Sequence, residues 1–311
     1  MPPDPALDLL CLGEPLMELN QVRGAEHYLP GFGGDTSNCA VAAARQGARV
    51  GYLTAVGEDT FGNAFLELWN SEGIDTSGIL RTPEAHTGLY LVSHSEAGHE
   101  FSYFRSGSAA SRLTPENLSE SRIASTHIFH ASGISQAISP SACDAVFHAL
   151  ELARQHGVRI SYDPNLRLKL WPLNRARAVI HEAMRQCDIA LPGLEDAQLL
   201  TGLDSPDQIV DFYLNLGAEV VALTLGPDGV LVATAEQRQK IPGYAVASVD
   251  ATGAGDTFDG AFLTELASGR DPFAAARYAN AAAALATTGY GAVGPMPTRE
   301  QVDGFLNDQR T

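Results

Sequence analysis

Positive charge is scarce in this chain. Among its 311 residues, 20 are Lys or Arg against 37 Asp or Glu, a formal net charge of −17, and lysine occurs only at Lys169 and Lys240. No basic stripe exists to displace counterions from a polynucleotide, which argues against nucleic acid as a partner. An anionic ligand would meet a repulsive long-range field and has to be held by locally placed Arg side chains or helix N-termini. Cysteine is sparse as well. Cys11, Cys39, Cys143 and Cys187 lie far apart among apolar neighbours with no C-x-x-C pair, a pattern of buried free thiols in a reducing compartment rather than of zinc or redox chemistry. No apolar run reaches the roughly 18 residues of a membrane span. The opening MPPDPALDLL lacks the basic-then-apolar layout of a signal peptide, so a cytoplasmic location with no membrane partner is expected. Internal repeats, low-complexity linkers, and Ser-His-Asp or H-E-x-x-H patterns are also missing.

What is present is an ordinary globular composition, 45% hydrophobic and 18% charged, long enough to bury a large core. Apolar, β-branched-rich runs at 7–12, 49–56, 126–130, 158–162, 189–191 and 220–225 read as buried strands. Most are separated by helix-like stretches, including 35–46, 61–72, 141–156 and 175–186. Strands alternating with helices of this length imply right-handed βαβ units, hence an α/β fold with a mostly parallel central sheet covered on both faces. The C-terminal third reads as helical at 254–268, 272–288 and 298–307, with the Ala281–Ala284 run suited to close packing.

Residues 86–106 break that rhythm. Short runs at 87–93 and 100–105 flank the turn-like Glu96-Ala97-Gly98 and predict a hairpin inserted in the α/β body. With 16–20 and 27–29 they predict a small separate sheet. The expected organisation is one domain over 1–311 with a β-sheet lid formed by about 14–30 and 86–106.

The strongest chemical signal is Asp250-Ala251-Thr252-Gly253-Ala254-Gly255-Asp256-Thr257-Phe258-Asp259-Gly260, placed between a strand-like 244–249 and a long helix. Two glycines in three residues let backbone N–H groups converge, and the helix N-terminus adds partial positive charge, an assembly suited to a phosphate in a charged transition state. Asp256, just inside the first turn, reaches the same point, and the helix end should lower its pKa. Phosphoryl transfer tolerates so weak a base, because its loose transition state gives up the nucleophile's proton late. A glycine-rich turn with Asp256 as an ordinary helix charge would show the same letters, so other pieces must agree.

Gly33-Gly34-Asp35-Thr36-Ser37-Asn38 turns sharply into a helix whose amides could bind a substrate oxygen, and Thr224-Leu225-Gly226-Pro227-Asp228-Gly229 closes a strand. Each is also a common helix entrance or β-turn. Ligands of open α/β sheets bind beyond the carboxyl ends of the strands. Tyr103 and Arg105, two apart on a strand, face one side, and Arg167 follows the 158–162 strand in Asp163-Pro164-Asn165-Leu166-Arg167. Two arginines aimed at one cleft would recognise a carboxylate, although for either alone a surface salt bridge explains as much. His127 and His130, an odd number of positions apart on a strand, face opposite sides and cannot share a metal. Gly31-x-Gly33-Gly34 does not directly follow a buried strand, so a dinucleotide loop is set aside.

Together these motifs resemble the ribokinase-like (PfkB) carbohydrate kinase family over essentially the full length. Gly33-Gly34-x-x-x-Asn38 with Gly47 and Gly57 carries the N-terminal signature, and Asp250-x-Thr252-Gly253-Ala254-Gly255-Asp256 with Gly260-Ala261-Phe262 the C-terminal one. Gly13-Glu14-Pro15-Leu16-Met17-Glu18, Tyr103-Phe104-Arg105 and Asp163-Pro164-Asn165-Leu166-Arg167 are most similar to members that phosphorylate 2-keto-3-deoxygluconate. The resemblance implies transfer of the ATP γ-phosphate to the 6-hydroxyl of that sugar acid, as in Entner–Doudoroff-type breakdown, with Asp256 as the catalytic base. It implies that Gly33, Gly34, Asn38, Tyr90, Tyr103, Arg105 and Arg167 hold the substrate. Asn165, Glu195, Thr224, Gly226, Gly229, Gly253, Ala254, Gly255 and Asn280 would surround ATP, with Glu195 organising Mg²⁺. Asp250 and Thr252 match positions that bind a monovalent cation such as K⁺, and relatives assemble as homo-oligomers. Pro192 stands where the Asn-x-x-Glu motif ending at Glu195 has Asn.

The alternatives are a sister kinase for 2-keto-3-deoxygalactonate, 5-keto-2-deoxygluconate or fructose, a nucleotide-responsive binder without catalysis, and a nicotinamide-dependent oxidoreductase. Fructose gives two arginines nothing to pair with. A binder has no need of Asp256, and nothing after the first strand supports the oxidoreductase.

Overall fold

Along the first strand Leu9 and Cys11 point one way, Leu10 and Leu12 the other, and all four are buried. A strand dry on both sides belongs inside a sheet covered by helices on both faces. The computed structural model, which describes residues 7–22, 26–95 and 98–309, has that architecture. Its strands are β1 (Leu7–Leu12), β2 (Leu16–Gln21), β3 (Tyr28–Gly33), β4 (Val50–Gly57), β5 (Ile79–Thr82), β6 (Leu89–Ser95) and β7 (Gly98–Phe104). They continue as β8 (Thr126–Ser132), β9 (Arg159–Asp163), β10 (Ile189–Ala190), β11 (Val220–Thr224), β12 (Val230–Ala233) and β13 (Arg238–Ile241). A nine-stranded sheet runs in the order β13-β12-β11-β10-β9-β8-β1-β4-β5. From β11 to β5 every pairing is parallel, and β12 and β13 close one edge as an antiparallel hairpin.

The helices are α1 (Asp35–Arg45), α2 (Thr60–Ser71), α3 (Glu120–Ala124), α4 (Gly133–Ala137), α5 (Pro140–Gln155) and α6 (Leu173–Met184). The remainder are α7 (Leu194–Thr201), α8 (Pro206–Leu216), α9 (Ala254–Ala267), α10 (Pro272–Ala286) and α11 (Arg299–Asp308). Leu9 and Cys11 pack with Cys39 of α1, Trp69 of α2, Phe262 of α9 and Val302 of α11. Leu10 and Leu12 pack on the other face with Val146 of α5, Ile180 of α6 and Tyr213 of α8. Local chemistry starts these helices where they start. Asp59 caps α2 by accepting from Gly62 N at 2.7 Å, Asp271 followed by Pro272 opens α10, and Thr298 with Gln301 forms a capping box on α11.

A second sheet of four strands, ordered β3-β2-β6-β7, stands apart from the first. β2 pairs antiparallel with β3 and parallel with β6, and β6 and β7 form a hairpin whose tip at 96–97, with the expected turn, lies outside the described residues.

The α/β body and the small sheet follow the pattern read from the sequence, with local differences. The stretch 244–249 is not a strand. Its apolar alternation mimics one, but β13 already holds the sheet edge and Pro242, without an N–H to donate, ends that edge. Several elements lay unread: β5, β12, β13, α3, α4, α7 and α8. β5 and β13 carry mostly exposed or half-buried side chains, so no hydrophobic period marks them. All four cysteines are buried and free. Among the described residues no helix is long and apolar enough to cross a membrane.

Candidate active site

The parallel strands end on one side of the sheet, and the segments leaving β1, β9, β10 and β11 there meet the N-termini of α1 and α9. They line a cavity of about 950 Å³ whose opposite wall is the small sheet. Gly33, Gly34, Asn38, Tyr90, Tyr103, Arg105 and Arg167 all contribute to its surface, as do Asn165, Glu195, Thr224, Gly226, Gly253, Gly255, Thr252 and Asp256. Gly229, Ala254, Asn280 and Asp250 do not line it. Asn280 donates its amide to the carbonyls of Ile241 and Pro242 and so braces α10 against the β13 exit. Asp250 accepts from Thr252 N and Oγ1 at 2.9 and 2.7 Å and from Gly291 N at 2.9 Å, which leaves the two expected cation ligands engaged with each other and with the loop.

Two glycines set the backbone of the cavity floor. Gly34, at the N-cap of α1, has φ 102°, and a Cβ there would lie 2.2 Å from the Glu14 carbonyl oxygen. Gly253 caps α9 with φ 76° in a left-handed turn, and it lines the cavity with Gly255 and Asp256, whose amides in the first turn have no intrahelical acceptors.

Asp256 sits in the first turn of α9 and accepts from Asn38 Nδ2 at 2.8 Å, so the two signatures, 218 residues apart in sequence, touch. The expected lowering of its pKa by the helix end is overturned. Burial, reinforced by the Asp35 carboxylate, pushes Asp256 up to about 7, with the Asn38 hydrogen bond and Arg167 pulling the other way. Two further carboxylates share this floor. Burial and their acidic neighbours push both Asp163 and Asp259 well above the ordinary range, so the floor holds more acid than it can ionise. Asn165 keeps that floor in place. At φ 30°, it donates from Nδ2 to Asp35 at 2.9 Å and from its backbone N–H to Asp163 at 3.0 Å.

The facing wall is cationic. Arg105 follows β7 on that wall, Arg167 and Lys169 line the cavity from the loop after β9, and Arg105 Cζ and Lys169 Nζ stand 5.8 and 6.0 Å from the Tyr103 ring centre. The two arginines are not equivalent. Arg105 is paired with the buried Glu14, whereas the Arg167 side chain is 51% exposed and lies 4.0 Å from its nearest carboxylate, Asp196. Tyr90 is fixed by donating to the buried Glu18.

Asp35, Asp163 and Asp259 stood inside the quoted motifs without an assigned role, and Lys169, one of two lysines and two residues past Arg167, was a visible signal left unread. Glu14 was legible only as a motif letter, since nothing in the sequence pairs it with Arg105, 91 positions away.

A parallel α/β sheet, a helix tip beside a carboxylate and a separate small sheet over the cleft define a ribokinase-like enzyme architecture. A solved fructokinase with bound ATP from Xylella fastidiosa superposes with a TM-score of 0.90 at 26% identity, covering 97% of this chain and 99% of that one. The chain belongs to the pfkB family of carbohydrate kinases, whose sequence profile matches residues 7–299. It is 33% identical to the 2-dehydro-3-deoxygluconokinase of Bacillus subtilis (strain 168) over 98% of this chain and 97% of that protein. It is also 33% identical to fructokinase-1 of Oryza sativa subsp. japonica, over 89% of each.

Proposed function

We propose that the protein phosphorylates 2-keto-3-deoxygluconate, also called 2-dehydro-3-deoxygluconate, at its 6-hydroxyl with ATP as donor. The observation that carries this reading is the cationic wall: three positive side chains line one cavity of a chain with net charge −17. Fructose offers them no counter-charge, whereas a sugar carboxylate does. The likeness to a 2-dehydro-3-deoxygluconokinase over nearly the whole chain supports the same substrate.

The chain's own residues divide the work. Asn38 orients Asp256, whose carboxylate accepts the 6-hydroxyl proton as the new O–P bond forms and ADP departs. A pKa near 7 leaves a large fraction of Asp256 ionised at neutral pH and makes it a stronger base than an ordinary aspartate. The amides at the start of α9 face the migrating phosphoryl group and stabilise its charge. Glu195, in the first turn of α7, and the Thr224–Gly226 turn flank the nucleotide. Glu195 lines the cavity beside the nucleotide turn and would help hold the Mg²⁺ that neutralises phosphate charge. The small sheet serves as the lid that excludes water during transfer.

ADP release with Mg-ATP is the test, with 2-keto-3-deoxygluconate, its C4 epimer, 5-keto-2-deoxygluconate and fructose as acceptors. Highest kcat/KM for 2-keto-3-deoxygluconate is expected. Fructose as the best acceptor would reject the sugar-acid reading, and no ADP with any acceptor would reject catalysis.

A further inference from the structure

Glu14 has no part in the chemistry above, yet its placement is costly. It follows β1, an interior strand of the large sheet, and its side chain is wholly enclosed. Taking a carboxylate out of water is unfavourable unless other groups satisfy it, and burial raises its pKa accordingly, opposed chiefly by Arg105. Two groups do satisfy it. Arg105 Nη2 donates to Oε2, and Ser108 Oγ donates to Oε1 at 3.1 Å. Arg105 follows β7 of the small sheet, so this ion pair joins the α/β body to the opposite wall of the cavity.

The pair fixes Arg105 in a particular state. Its side chain is 11% exposed, it lies over the Tyr103 ring, and Glu14 neutralises its charge. Its Nε–H is buried and finds no acceptor among the described residues. A guanidinium held in this way can still donate a directed hydrogen bond, but it offers little net charge. Arg167 is the contrasting case, half exposed and at 4.0 Å from Asp196 only loosely countered.

Resting on the sugar-acid reading, we propose that Glu14 is a positioning residue for the sugar. It locks Arg105 against Tyr103 and cancels its charge, so that Arg105 reads a sugar oxygen as a hydrogen-bond donor while the carboxylate falls to Arg167. A glutamate reaching from β1 to the small sheet thereby couples substrate recognition to the placement of that sheet.

The test is steady-state kinetics with 2-keto-3-deoxygluconate and Mg-ATP on the wild type, Glu14→Gln, Arg105→Ala and the double variant. Glu14→Gln keeps the shape and one acceptor oxygen but removes the charge. It should raise KM for the sugar about 3–10-fold while kcat and the KM for ATP stay within about 2-fold. The double variant should match Arg105→Ala alone, because Glu14 acts only through Arg105. An unchanged sugar KM in Glu14→Gln, or effects that multiply in the double variant, would overturn the proposal while leaving the sugar-acid reading intact. An unchanged sugar KM in Arg105→Ala would likewise overturn the proposal, whereas the sugar-acid reading falls only if fructose proves the better acceptor. If Glu14→Gln does not fold, Ser108→Ala, which removes only the second donor to Glu14, should raise the sugar KM about 3-fold, and no rise would count against the proposal.

Discussion

The floor and the facing wall of the cavity are built from opposite charges handled in opposite ways. On the floor Asp35, Asp163, Asp256 and Asp259 are packed together, and no ion pair within 4 Å joins any of them to a cation among the described residues. Their mutual repulsion, added to burial, drives three of the four upward in pKa. On the wall Arg105 is paired with Glu14, and Arg105 and Lys169 both lie over the Tyr103 ring. Crowding like charges makes a basic carboxylate, and spacing cations makes a recognition surface. On the proposed reading, one cavity holds its proton acceptor and its specificity determinants on separate elements, the former where α1 meets α9 and the latter at the end of β7 and on the loop after β9.

The sharpest way to break that division is at Asp256. Asp256→Asn should lower kcat by at least about 10²-fold with little change in either KM, measured by ADP release. A comparable loss confined to KM would move Asp256 to the binding side. Next in size is the pH profile. Because the Asp256 pKa is raised to about 7 and the ionised form is the base, kcat/KM should climb about tenfold per unit below that pH and level off above it. An ordinary aspartate would give a flat profile from pH 5 upward.

Stability should show the cost of the crowded floor. With its folded pKa above the unfolded value near 3.8, Asp256 binds more protons in the native state between about pH 4 and 7, so its contribution to stability falls as pH rises through that window. Asp256→Asn should therefore be more stable than the wild type at pH 8, by about 1–2 kcal/mol in denaturant melts, with the difference vanishing near pH 4. Smallest is Lys169→Ala. As an exposed cation beside Tyr103, Lys169 should change the sugar KM by only about 2–5-fold, and a rise larger than that of Arg167→Ala would reverse their assigned ranks.

How much of this could be read beforehand differs by region. The buried parallel strands announced themselves through β-branched runs, and the Gly253–Asp256 tip through glycine spacing, because both depend on local sequence. The cavity residues of each signature were also nameable from motifs. Hidden were the features made by distant pairs. The Glu14–Arg105 pair and the Asn165–Asp35 hydrogen bond join positions 91 and 130 residues apart. The direction of the Asp256 shift was misjudged for the same reason. The helix end is visible in the sequence, but the burial and the Asp35 carboxylate that outweigh it are assembled only by the fold. Short or exposed elements such as β5 and β13 left no hydrophobic period to find.

The cationic wall as the source of sugar-acid selectivity is tested most directly by Arg167→Ala. The ratio of kcat/KM for 2-keto-3-deoxygluconate to that for fructose should be measured side by side in wild type and variant. Loss of the exposed guanidinium should lower the sugar-acid value about 10-fold, leave the fructose value within about 2-fold, and so collapse the ratio. An unchanged ratio would contradict the account.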